Sequence, residues 1–272
     1  MMSATSKASH AARIFAVALA GIAFDAVVRP QSASAEIPAI ASRQRAEKKV
    51  FTDAEIIDGF FKTSFGAEYH LAGRVDRIRK YVRPIRVFAE GRRADRKAQL
   101  AKVVADIAAH IRDLDIAMTD DGASADVTVK LVRDRELYRS IVDLYGKDRA
   151  KEIRISLDPQ CLSGFRKNER YEIEHSDVFL TVDNGDFVFL DCAYEELLQS
   201  IGPINDTDSV PWTMFNDDVS MGFFDVYDQY ILNLLYHPRI KAGMTVDEVK
   251  ALLPQVLPEV RAFVKKVNNL PE

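Results

Sequence analysis

Two cysteines, Cys161 and Cys192, constrain the fold of this chain more than any other feature. If they bond to each other, two segments 31 residues apart must meet inside one structure. An even pair in an oxidising compartment is most simply a disulfide. Closing that loop stabilises a fold by about 3–4 kcal/mol in the chain-entropy picture. Two free buried thiols or a metal pair are the alternatives, but the spacing matches no common zinc pattern.

The compartment is read from the first 35 residues. Lys7 and Arg13 give a positive flank, and Ile14 to Val28 is apolar apart from Asp25. Arg29 and Pro30 follow, then Ala33-Ser34-Ala35, a small-x-small cleavage site. That order is the one a secretory signal peptide shows. An apolar run of about 15 residues is short for a membrane anchor, which needs about 20. Residues 1–35 are therefore expected to be removed, leaving a periplasmic or secreted protein that starts near Glu36 with no membrane span. The net charge of −4 argues against a nucleic-acid partner, which wants a strongly basic face.

Residues 36–50 are polar and without periodicity, and are expected to form a flexible lead. Residues 51–272 read as one mixed α+β domain. Capping boxes at Thr52–Glu55 and Thr245–Glu248 open helices. The spacing predicts further helices over 93–112, 134–145, 187–201 and 223–236, and strands over 86–89, 127–131 and 177–182. The last helical segment should break at Pro254 and Pro258. The basic run from Arg74 to Lys97 reads as a solvated face with scattered ion pairs. His70, His110, His175 and His237 form no ligand spacing and are expected to be structural. Asp206, Asp208, Asp217 and Asp218 lack the glycine and terminal glutamate of a calcium loop, so turn and cap roles are expected.

The segment Glu195-Glu196-Leu197-Leu198-Gln199-Ser200-Ile201-Gly202-Pro203-Ile204-Asn205-Asp206 carries the chemistry. It can be laid over the metzincin pattern H-E-x-x-H-x-x-G-x-x-H. The general-base glutamate then falls on Glu196, the turn glycine on Gly202, and the three zinc histidines on Glu195, Gln199 and Asn205. Residues i and i+4 share a helix face. A glycine lets the chain turn so that a residue three further on reaches back to the same point. A strand over Ser176–Val182 precedes the helix, at the place of the metzincin strand that holds substrate. Trp212-Thr213-Met214-Phe215 stands at the distance of the Met-turn, and Asp225 to Tyr236 resembles the closing helix.

Asp191-Cys192-Ala193-Tyr194-Glu195-Glu196-Leu197-Leu198-Gln199 resembles the hallmark of a family of exported bacterial proteins catalogued as a domain of unknown function. Asn205-Asp206, Phe215-Asn216-Asp217-Asp218 and Leu235-Tyr236-His237-Pro238-Arg239 add to that resemblance. The more remote resemblance to metzincins implies a zincin-like α+β domain with a mixed sheet and a central site helix.

Zinc prefers imidazole and thiolate. Glu195 could serve as a ligand, whereas Gln199 and Asn205 offer only neutral amide oxygens. The expected state has no cofactor, the three side chains bonding one another. A hard divalent cation or zinc is the alternative. The first functional reading is a non-catalytic pseudo-metallopeptidase that binds a peptide or cell-envelope component by strand addition along Ser176–Val182. The second is a peptidase-like or glycosidase-like hydrolase with Glu196 as general base and Glu195 sharing its proton.

Overall fold

A computed structural model describes residues 37–66, 76–157 and 160–271. Residues 1–35, expected from the sequence to be a signal peptide, lie outside the described residues, as do His70 and Arg74.

Five strands form one mixed sheet: β1 (Ile85–Glu90), β2 (Ile116–Met118), β3 (Val127–Val132), β4 (Cys161–Lys167) and β5 (Ile173–Thr181). Their spatial order is β2-β1-β3-β5-β4. All neighbours are parallel except β4, which runs antiparallel to β5 from Cys161 opposite Leu180. Parallel neighbours need long crossovers. Helix α3 (Ala94–His110) joins β1 to β2, and α4 (Asp134–Tyr145) with α5 (Lys147–Leu157) lies between β3 and β4. Helix α6 (Asp186–Ser200) follows β5 after the turn at 183–185 and packs on β4 and β5.

Period-two alternation divides the sheet between two cores. On β5, Val178 and Leu180 join the main core with α3 and α6. Phe179 points the other way, onto Leu162 of β4 and onto Leu137, Ile141, Ala150 and Ile153 of the α4–α5 pair. The C-terminal part runs from Ile201 without helix or strand to α7 (Val226–Tyr236), then α8 (Val246–Val267). Every residue of α7 is buried, as suits a helix wrapped by other elements. Helices α1 (Pro38–Ala46) and α2 (Asp53–Ser64) complete the described fold. No helix among the described residues is long and apolar enough to cross a membrane.

Four expectations are corrected. The lead over 36–50 contains α1, with Ile40 and Ala41 buried, and Glu47 Oε1 accepts the Val226 amide at 2.8 Å. The segment Ser176–Val182 is not an edge, because β3 and β4 pair with its two sides. The edge is β4, whose Cys-Leu-Ser-Gly run hides its period in small residues. Helix α8 continues through Pro254 and Pro258. An interior proline costs about 3 kcal/mol, but both rings lie on the exposed side, and the stripe of Val249, Leu253, Val256, Leu257, Val260 and Val264 is buried.

The basic run is not uniformly solvated either. Arg79, Lys80 and Arg96 are buried. Arg79 donates to the Ser64 and Gly66 carbonyls, Lys80 to Leu235 O, and Arg96 to Val182 O and Asp186.

Candidate functional site

One covalent link sets the geometry of the site. Cys161 of β4 is bonded to Cys192 of α6, with their Cα atoms 5.9 Å apart. Ser163 lies two residues further along β4 on the same face, about 6.6 Å at the strand rise. Glu196 lies four residues further along α6, about 6 Å at the helical rise. The two therefore arrive side by side, and the Ser163 hydroxyl hydrogen-bonds the Glu196 carboxyl. It also reaches Gln199 Oε1, at 3.4 Å.

Glu196 is only 6% exposed, and its Oε2 atom is buried without a hydrogen-bond partner. Burial drives its carboxyl up to about 8. The Ser163 hydrogen bond opposes that rise, and the nearby Asp206 and Asp217 add to it. Its acid is therefore protonated at neutral pH, the opposite of what a general base needs. Glu195 keeps partial contact with solvent. Its carboxyl is nevertheless pushed well above the usual range, first by burial and then by Glu196, Asp206, Asp191 and Asp217.

Two of the three positions matching zinc ligands, Gln199 and Asn205, hold hydrogen bonds to other residues. Gln199 Nε2 donates to Asp206 Oδ1 at 2.7 Å. Asn205 bonds to the end of α2. Its Nδ2 donates to Lys62 O at 2.7 Å, and its backbone amide to Thr63 O at 3.3 Å. Those carbonyls belong to the last turn of α2, which has no partners within the helix, so Asn205 acts as a C-terminal cap. The Asn205–Gln199–Glu195 contact expected from the sequence is replaced by different bonds. A different trio meets instead: Glu195, Asp206 and Asp217 each bring one carboxylate oxygen to within 4.8 Å of the others. Turn and cap roles were expected for these aspartates, and no spacing rule links 195, 206 and 217. Ser163 was also missed, although counting two residues from Cys161 would have found it.

The turn after α6 is where the sequence places it. Gly202 has φ +154°, and a β-carbon there would lie 2.8 Å from Arg79 O and 2.6 Å from Leu235 Cδ2. Only glycine fits so close to another backbone. Met214 is buried, and its turn is held from below by α7. Asp228 accepts the Thr213 hydroxyl at 2.6 Å and the Met214 amide at 2.8 Å. Asp225 in turn accepts the Asp228 amide at 2.7 Å. Burial raises both carboxyls, Asp228 to about 6 and Asp225 well above its usual range, with Asp228 and Glu47 adding to the rise of Asp225. Asp225 Oδ2 faces no donor, and protonation turns it into a donor toward Asp228.

Another residue of the signature makes structural contacts. Asp191 accepts the Met221 and Gly222 amides at 2.6 and 3.0 Å, tying α6 to the passage before α7. The histidines also make structural contacts, His110 with Asp106 and His237 with Glu259.

A zinc ion does not suit this arrangement. The donors offered are carboxylate and amide oxygens, with no imidazole or thiolate, and two of the three pattern positions are committed elsewhere. No curated protein sequence and no solved structure matches the chain. The family model described as "Protein of unknown function (DUF2927)" matches residues 53–255, from the start of α2 into α8. That span takes in the sheet, the disulfide, the α6 cluster and the Gly202 and Met214 turns, and the chain belongs to the DUF2927 family.

Proposed function

We propose that this protein is an exported pseudo-metallopeptidase, a zincin-like domain that works in the periplasm or outside the cell and binds an extended peptide or cell-envelope component without cleaving it. The observation that carries this reading is the fate of the ligand positions. Gln199 is bonded to Asp206 and Ser163, and Asn205 caps α2. Support for the zincin likeness comes from the element order. An antiparallel edge strand and β5 lead into the site helix, followed by the Gly202 turn, the Met214 turn and α7. The leader of residues 1–35 supports export.

The binding strand is β4 rather than Ser176–Val182. Its outer side has no strand partner among the described residues, so its backbone can accept an added strand. The first test is hydrogen exchange on the protein with and without a pool of random extended peptides. The β4 amides that face outward become protected, and the peptides are recovered intact. Cleavage of the pool, or protection confined to other elements, contradicts the proposal.

A second reading, hydrolysis through Glu196, is favoured by the orphaned Oε2 atom alone. With the acid protonated at neutral pH, such chemistry would need Glu196 to donate a proton rather than to accept one.

A further inference from the structure

Lys80 precedes β1 and is only 6% exposed. Its backbone carbonyl accepts the Ile173 amide at 3.0 Å, which fixes the residue against the start of β5. Its Nζ donates to Leu235 O at 2.8 Å, one of the carbonyls at the end of α7 that have no partner within the helix. Among the described residues Nζ has no second acceptor and no carboxylate within ion-pair distance. Buried charges are paired, or they shift their pKa and neutralise. Burial pulls the Lys80 ammonium down to about 7, with the Lys241 cation adding to the fall and Asp113 opposing it. About half of the Lys80 amine is then free at neutral pH, against fewer than about one in a thousand for an ordinary lysine.

The amine also has a space to work in. Lys80 lines a cavity of about 450 Å³, the size of a small-molecule site. The neighbours of Nζ line the same cavity. They are Tyr236, whose ring centre is 5.3 Å from Nζ, and the two charged groups that act on it, Lys241 and Asp113. Buried Leu114 adds apolar wall. Of the other cations there, Arg83 is committed to Asp126 and to Glu174 O. Lys241 is exposed and has no carboxylate partner among the described residues. A purely structural donor to Leu235 O needs one N–H and no charge. A neutral amine meets that need and keeps a second N–H and a lone pair.

We infer that Lys80 is a nucleophile that condenses with a small 2-oxo carboxylic acid, whose carboxylate is held by Lys241. Amines desolvated beside a second cation are suited to this chemistry. The amine lone pair forms a C–N bond to the keto carbon. Both amine protons leave with the keto oxygen as water, so a C=N bond replaces the C=O bond without oxidation or reduction. A proton taken up from solvent then restores an N–H, and with it the bond to Leu235 O. The charges select the ligand. One free cation with Asp113 beside it suits a single negative charge, a carboxylate rather than a phosphate dianion. This inference does not rest on the peptide-binding reading and survives its failure.

The test is reductive trapping of the full, folded protein at neutral pH with pyruvate and sodium cyanoborohydride, read by peptide mass spectrometry over every lysine. Trapping at Lys80 should run about tenfold or more faster than at any other lysine, because so much more of its amine is free. Lys80→Met, with its fold verified by circular dichroism, should lose that fast equivalent. Lys241→Gln, an exposed change, is trapped in parallel with pyruvate and with propionaldehyde, which has the carbonyl and no carboxylate. Loss of the nearby cation makes Lys80 more basic and slows both probes, so the ratio of the two is read. The pyruvate-to-propionaldehyde ratio should fall about threefold or more, the loss of one exposed ion pair. Trapping at Lys80 of the native protein no faster than at its exposed lysines overturns the inference. So does an unchanged ratio in folded Lys241→Gln.

Discussion

Replacing Cys161 and Cys192 together with serine lowers the melting temperature by about 7–15 °C. The bond spans 31 residues, and freeing a loop of that length returns about 3–4 kcal/mol of chain entropy to the unfolded state. A domain of this size loses about 2–4 °C per kcal/mol. The effect has a local part as well. The bond sets β4 against α6, and through it Ser163 against Glu196 and Gln199. Without the link, β4 keeps its pairing with β5 on one side only. Thermal melts of the double variant, and of the native protein in reductant, measure both contributions. A shift below about 3 °C would mean that packing of Leu162 against Phe179 holds the edge strand by itself.

Raising the pH from about 4.5 to about 8 lowers the stability, and the Asp225–Asp228 pair contributes to the loss alongside the Glu195 and Glu196 carboxyls. Both carboxyls of the pair titrate higher in the folded chain than in the unfolded one because they are buried. The folded state therefore holds its protons longer. The contribution is fully present below the unfolded value near 3.8 and is lost as pH rises through the folded value, about 6 for Asp228. Integrated over that range, Asp228 alone removes about 2 kcal/mol, a fall in melting temperature of about 4–8 °C. Asp225 adds to it in the same direction. The variant Asp225→Asn isolates that part. An amide keeps the oxygen that accepts the Asp228 amide, and its NH₂ supplies the donor that protonation otherwise provides. Asp225→Asn should raise the melting temperature at pH 8 and flatten the pH profile. The slope that remains in that variant belongs to Asp228, Glu195 and Glu196, and a slope wholly unchanged from the native protein's would contradict the contribution of Asp225.

What the sequence revealed followed from local rules, and what it hid depended on tertiary contacts. The capping boxes at Thr52 and Thr245 are present as expected, because a capping box needs only residues three apart. Helix α4 runs over Asp134–Tyr145 and stops at Gly146, where φ +84° favours glycine. Gly202 was legible for the same reason, as one position with one steric demand. Strand β4 was not legible. Ser163 and Gly164 carry no hydrophobic period, and the strand is fixed by its bond to α6 and its pairing with β5.

The prolines of α8 were misread because a local rule was outweighed by a buried stripe facing the core. The site divided in the same way. Spacing found Glu195, Glu196, Gln199 and Gly202 on the right helix and turn. It assigned Asn205 to the ligand set, whereas the free carbonyls at the end of α2 claim its side chain. Asp217 was hidden because its partners lie 11 and 22 residues away in sequence, on segments that only the fold brings together.

The proposed pseudo-metallopeptidase reading requires that Gln199 and Asn205, at the positions of two metzincin zinc ligands, no longer hold a metal. The most direct measurement is the zinc content, by mass spectrometry, of protein recovered from its native host without chelators or a histidine tag. No stoichiometric zinc is expected, and no change in that result for Gln199→Ala or Asn205→Ala. One equivalent of zinc that is lost in both variants would contradict it, because Gln199 and Asn205 would then be ligands and the bonds described here would have to open to release them.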